Sequence, residues 1–362
     1  MDPTNLFTHA TSELSQDAVL AWLLAWAHPD HEKKNEAMHA VGSAFLESLL
    51  TTAGTAMPDG KLDSVVVKRQ VVVAPKDDQK RRRRIDVAAE VRSESELVVV
   101  LIEDKTGSPL GANQLIDTLK GAGRKWGDDA RLVPLYLKTH DAAALDASVS
   151  EGWHSFERRS LLNVLTSEAG RAARNDILDA FREHLTRIET ESMAYATVGV
   201  SAWDAAAWRG YFTALVTELS TRTPAGANEP PSWSYVPNKA GGFWALYWGV
   251  AEIPDGWLYL QLEGKPATAS RAASALVTFR VRCRHGDTTA RKDFRETWHR
   301  RLSDAADVAG FSVSSPSRFG SGATMTVAVV SGGGAWSGAP DRDTATLTAA
   351  WHVASNAAQT NQ

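Results

Sequence analysis

Two valine-rich runs that follow each other closely, Ile85-Asp86-Val87-Ala88-Ala89-Glu90-Val91 and Leu97-Val98-Val99-Val100-Leu101-Ile102-Glu103-Asp104-Lys105, constrain the fold more than any other part of the chain. An unbroken β-branched run suits a strand covered on both faces. A charge in such a strand must be paired, hydrated or bound to metal. Period-two alternation puts Asp86, Ala88 and Glu90 on one face of the first strand and Ile85, Val87, Ala89 and Val91 on the other. In the second, Glu103 and Lys105 share a face, with Ile102 and Asp104 opposite. Three charges thus converge at a sheet margin. From the residues alone, a salt bridge between Lys105 and either carboxylate explains them as well as a reaction centre does.

The surrounding pattern predicts an α/β layer architecture. Strands are expected over 64–74, 82–92 and 96–106 as a meander. A helix over 13–27 carries Leu20, Leu23 and Leu24 at helical spacing, and a second covers 34–50. The intervening His28-Pro29-Asp30-His31 reads as a turn, and 51–63 as a loop. A helix over 110–122, a strand over 131–138 and helices over 158–165 and 175–191 complete this half. At 362 residues two domains are expected, 1–200 and 201–362. The second reads as α+β: strands over 243–250, 257–263, 275–284 and 324–330, helices over 289–302 and 341–358, a Pro- and Gly-rich loop over 221–242, and a tail that frays after Ser355.

A formal net charge of -4 excludes a polycation that coats nucleic acid without specificity, so any such binding needs a local patch. The single cysteine, Cys283, excludes an internal disulfide framework and a Cys-based zinc site. The chain opens without a signal-peptide pattern, and no apolar run approaches the roughly 18 residues that span a bilayer. A soluble, cytoplasmic protein without membrane contact is expected.

An Asp, a hairpin and then Glu-x-Lys, set between an opening helix and a closing helix and strand, resembles the PD-(D/E)XK nuclease superfamily; Asp86 and Glu103-Asp104-Lys105 carry the likeness. Glu13-Leu14-Ser15-Gln16-Asp17, followed by Leu20-Ala21-Trp22-Leu23-Leu24, resembles the opening of one bacterial branch, in which a helix carries an early Glu before L-x-W-L-L. Gln114-Leu115 matches a Gln often found on the helix after the E-x-K strand. The likeness covers roughly residues 10–165. Ile85 stands where the superfamily name has proline. Gln16 and Asp17 stand where the branch often has His-Ser.

The resemblance implies a restriction-endonuclease-like core, a mixed sheet flanked by helices in α-β-β-β-α-β order, followed by a smaller α+β domain. It also implies a metal-dependent endonuclease acting on DNA, in restriction or antiviral defence. Asp86 and Glu103 would hold Mg2+, with Mn2+ able to substitute, since carboxylates suit hard cations. The Asp104 carbonyl would add a contact, because strand geometry turns its side chain away. Lys105 would orient or deprotonate the attacking water and stabilise charge at phosphorus. Glu13 would reach the same cluster as a further ligand, and Gln114 would hold the water or a phosphate.

Lys80-Arg81-Arg82-Arg83-Arg84 leads into the Asp86 strand. A solvated hairpin turn is the default reading of such a run; because alternation places Arg82 and Arg84 on the Asp86 face, beside the site, they would contact phosphates, with Lys120, Arg124 and Lys125 extending the patch. The aromatic residues of the second half, from Trp233 and Tyr235 through Trp257 and Tyr259, read as core filling before base-stacking groups. Arg280, Arg282 and Arg284 make one strand face basic, as a DNA-facing, partner-facing or solvated surface. RNA stays beside DNA as a substrate, and a homo-oligomer or protein partner fits the same surfaces. The alternative function is a catalytically inactive nuclease-fold protein that binds nucleic acid or a partner.

Overall fold

Helix α1 (Glu13–Ala25) begins at Ser12, whose hydroxyl accepts the Ser15 amide at 3.3 Å, and α2 (Glu36–Thr52) at Asn35, whose side-chain oxygen accepts the Met38 amide at 3.1 Å. These caps satisfy amides that a first turn leaves without partners. Leu20, Leu23 and Leu24 of α1 are fully buried with Val41, Phe45 and Leu46 of α2. The computed structural model describes residues 4–10, 12–73, 83–105, 114–141, 152–222, 229–238, 241–331 and 336–359. The chain divides into two units, Met1–Thr190 and Glu191–Gln362.

The first unit holds a mixed five-stranded sheet. Strands β1 (Leu62–Val73), β2 (Arg83–Ser93) and β3 (Leu97–Lys105) pair antiparallel. Helix α3 (Gln114–Trp126) then crosses to β4 (Ala130–Lys138), which pairs parallel with β3 and with β5 (His154–Glu157). Parallel neighbours need such a crossover. The valine run of β3 is covered on both sides: Val98, Val100 and Ile102 pack with the α1 and α2 core, while Val99 and Leu101 pack with Leu115 and Ala122 of α3. Helices α4 (Arg158–Leu165), α5 (Glu168–Ala172) and α6 (Asp176–Met193) follow.

Strict alternation fails beside the charged residues. Ile85 packs with Ala88 and α3, not with Val87, Ala89 and Val91 on the opposite face. On β1 the same switch occurs between Val65 and Val71. Its cause is Gln70, whose φ of +50° is left-handed and turns the strand over at the position opposite Asp86.

The second unit is an antiparallel six-stranded sheet with helices. Its elements are α7 (Ala205–Ser220), β6 (Ser232–Val236), β7 (Phe243–Ile253), β8 (Gly256–Lys265), β9 (Ser274–Cys283), α8 (Thr288–Ala309), β10 (Val313–Ser314), β11 (Thr324–Val330) and α9 (Pro340–Gln359). The sheet order is β10-β11-β9-β8-β7-β6. Strand β6 lies within the stretch expected to be loop, because Trp233 buries its ring and pairs opposite Leu246. The expected fraying after Ser355 is also corrected: α9 continues to Gln359 and Ala357 is fully buried. Among the described residues, no helix is long and apolar enough to cross a membrane.

Candidate functional site

The charged end of β3 lies between the first turn of α1 and the first turn of α3. Asp86 arrives from β2 and accepts the Asp104 amide on Oδ2 at 2.9 Å, which ties the two strands together beyond their ladder. Glu103 Oε1 accepts from Lys105 Nζ at 2.9 Å and from Gln114 Nε2 at 2.5 Å. Lys105 Nζ also donates to the Asp104 carbonyl at 2.9 Å and lies 3.5 Å from Glu13 Oε2 and 3.8 Å from Asp86 Oδ2. One ammonium therefore occupies the focus of Glu13, Asp86, Glu103 and the Asp104 carbonyl. All five residues expected at the reaction centre, Glu13, Asp86, Glu103, Lys105 and Gln114, are brought together.

Burial sets the electrostatics. It raises the Glu103 carboxyl to about 7, with Asp86 adding to the rise and Lys105 opposing it. Burial disfavours the Lys105 charge, yet Glu103, Asp86 and Glu13 together hold the ammonium above the ordinary lysine range. The side chain of Asp104 points away from this focus, as expected, and enters a second polar cluster. There Gln16 Nε2 donates to Asp104 Oδ1 at 2.5 Å, and Thr139 Oγ1 donates to Gln16 Oε1 at 2.9 Å.

Asp17 completes that second cluster and was not anticipated. It is buried, and burial together with Asp86 raises its carboxyl to about 6; burial and Asp17 likewise raise Asp104. Asp17 Oδ1 and Asp104 Oδ2 are both buried without a hydrogen-bond partner. Gln70 spans both clusters, donating from Nε2 to Asp17 Oδ2 at 3.2 Å and to Asp86 Oδ1 at 3.1 Å. Its left-handed backbone is what aims it there. Tyr136 and Lys138, in parallel register with Glu103 and Lys105, extend the same sheet face, and burial lowers Lys138 to about 8.

These shifts fix the sign of the pH dependence. Glu103 and Asp17 bind protons more tightly folded than unfolded, so their contribution is full below about pH 4 and is lost as pH rises through 6 and 7. For Glu103 alone the loss is about 3 kcal/mol. Without divalent cation, the melting temperature should fall between pH 5 and pH 8. A flat profile, or a rise over that range, would contradict the assigned burial of these carboxylates.

Among the described residues, no group of three or more His, Cys, Asp or Glu side chains is arranged to hold a metal ion. The carboxylates are drawn around an ammonium instead. The donor set still suits a hard cation: it is all oxygen, it outnumbers its one lysine, and Glu103 Oε2 is buried without a hydrogen-bond partner.

Of the residues expected to contact phosphate, Arg84, Lys120, Arg124 and Lys125 are exposed, and Arg82 lies outside the described residues. Arg83 pairs with Asp117 of α3 at 3.1 Å and so serves the fold. No family model, no curated protein and no solved structure matches the chain.

Proposed function

We propose that this centre is that of a metal-dependent endonuclease hydrolysing phosphodiester bonds of DNA, built on a restriction-endonuclease-like core. The observation that carries the reading is the convergence of Glu13, Asp86, Glu103 and the Asp104 carbonyl on one cationic focus at the carboxyl end of a parallel-paired strand, where open α/β sheets bind ligands. Those four groups would hold Mg2+, or Mn2+ in its place. When bound, the cation supplies polarisation of a phosphoryl oxygen and a more acidic water.

The chain's own residues do the rest. Lys105 is a compact charge that orients the attacking water and meets the negative charge growing at phosphorus. Gln114 fixes the Glu103 carboxylate, and Gln16 fixes Asp104 from behind. Arg84, Lys120, Arg124 and Lys125 contact the substrate backbone without reading bases. A place in restriction or antiviral defence, in the cytoplasm, rests on the family resemblance.

The arrangement of carboxylates around an ammonium favours a second reading, a catalytically inactive protein of the same fold that binds nucleic acid or a partner. Incubation of plasmid, single-stranded DNA and RNA with Mg2+, Mn2+ or EDTA separates the two. Cation-dependent cleavage of a DNA substrate supports the nuclease. Binding that survives EDTA, with no cleavage of any substrate, supports the inactive form.

A further inference from the structure

The sheet of the second unit has one face built for packing and another built from different chemistry. On β8, Gly256, Leu258, Leu260, Leu262 and Gly264 share the packed face. A Cβ on Gly264 would lie 2.4 Å from the Trp208 ring of α7, and one on Gly256 would lie 3.0 Å from Phe294 of α8. Alternation turns Trp257, Tyr259 and Gln261 to the opposite face.

The ladder then assembles rings and cations on that face. Trp257 pairs with Arg282 of β9, Tyr259 with Arg280, and Gln261 with Tyr247 of β7. The Tyr247 and Tyr259 ring centroids are 6.1 Å apart, and the Arg282 and Arg284 guanidinium groups lie 5.4 and 4.3 Å from the Trp257 ring. The three rings are half-buried; Arg282 and Arg284 are exposed. Glu252 pairs with Arg284, and Glu263 lies 3.9 Å from Arg280. Among the described residues Arg282 pairs with no carboxylate, and Arg280 Nε is buried without a hydrogen-bond partner. With Lys265 the face is net positive in a chain whose formal charge is -4.

We infer that this face binds single-stranded nucleic acid, with bases stacked on Tyr247, Tyr259 and the Trp257–arginine stack and phosphates held by Arg280 and Arg282. Guanidinium groups, like aromatic rings, are surfaces on which exposed bases stack. Rings next to the unpaired Arg282, on a face of net positive charge, match a strand whose bases are exposed and whose backbone is anionic. A duplex hides its base faces, and an acidic peptide has no use for the rings. This inference goes beyond the proposed hydrolysis and stands on the second unit alone.

The test is fluorescence anisotropy of the full chain with labelled oligothymidylate, oligouridylate and a blunt DNA duplex, all in EDTA so that hydrolysis is silent. Either single strand should bind at least tenfold tighter than the duplex, and Tyr259→Ala should weaken that binding about tenfold, the scale of one lost base stack. Arg282→Gln, at an exposed position that cannot disturb the core, should weaken it and flatten its salt dependence by the share of one phosphate contact. Absence of single-strand binding, equal affinity for the duplex, equal displacement by polyglutamate, or wild-type binding by both folded variants would overturn the inference. Loss of hydrolysis in Lys105→Ala leaves this result untouched, so the two claims fail separately.

Discussion

On the proposed function, Lys105→Ala should lower the rate of cation-dependent DNA cleavage by about a thousandfold, the scale of losing one positioned proton-transfer or charge-stabilising group. The reason is geometric. Its ammonium lies within 4 Å of Glu13, Asp86 and Glu103 together, a position that no other described ion pair reproduces. Lys105→Arg should not restore the rate, because a planar fork cannot meet three carboxylates and a carbonyl from one point. Single-turnover rates check both variants, with melting curves to establish folding. A loss smaller than threefold would remove Lys105 from the chemistry.

Arg158→Ala should cost stability by about 1–3 kcal/mol, because it strips two half-buried carboxylates and the Thr139 carbonyl of a buried donor and leaves Glu189 with Arg159. The side chain is 7% exposed and lies 2.7 Å from Glu189 and 3.3 Å from Asp141. Burial alone would raise Glu189, and Arg159 and Arg158 hold it below the usual carboxylate range. Arg158 also donates to the Thr139 carbonyl at 2.7 Å, and the Thr139 hydroxyl leads through Gln16 to Asp104. Loosening this support should lower the cleavage rate of the folded fraction as well. Urea denaturation reads the first effect; a midpoint shift worth less than about 1 kcal/mol would show that water replaces the arginine.

The centre was legible where its residues follow strand period. Glu103 and Lys105 sit two apart on one strand, and Asp86 interrupts another, so alternation alone brought three charges to one margin. Glu13 and Gln114 came from resemblance, since a helix-terminal acid and a helix amide carry no signal of their own. Asp17 and Gln70 were not legible, because a buried carboxyl on α1 and a left-handed residue within β1 acquire meaning only when residues 17, 70, 86 and 104 meet in space.

Some of what was missed did leave a trace. Helix α7 carries Trp208, Phe212, Leu215 and Leu219 at helical spacing behind an Asp204 cap, and that pattern was available in the sequence. Strands β5 and β10, with four and two residues, are too short for a period to show. The aromatic residues of the second unit divide between roles that composition does not separate. Trp233 and Trp248 are core, whereas Trp257 and Tyr259 occupy the other face of the sheet.

On the proposed function, the carboxylates around Lys105 form a cation-dependent hydrolytic centre. The most direct measurement is the initial rate of cleavage of a DNA substrate as Mg2+ is raised from none, for the wild type and for Glu103→Gln. No cleavage is expected in EDTA, with saturable activation by Mg2+ in the wild type and loss of that activation in Glu103→Gln. Cleavage by Glu103→Gln at the wild-type rate, or none by the wild type at any Mg2+ concentration, would contradict the proposed function.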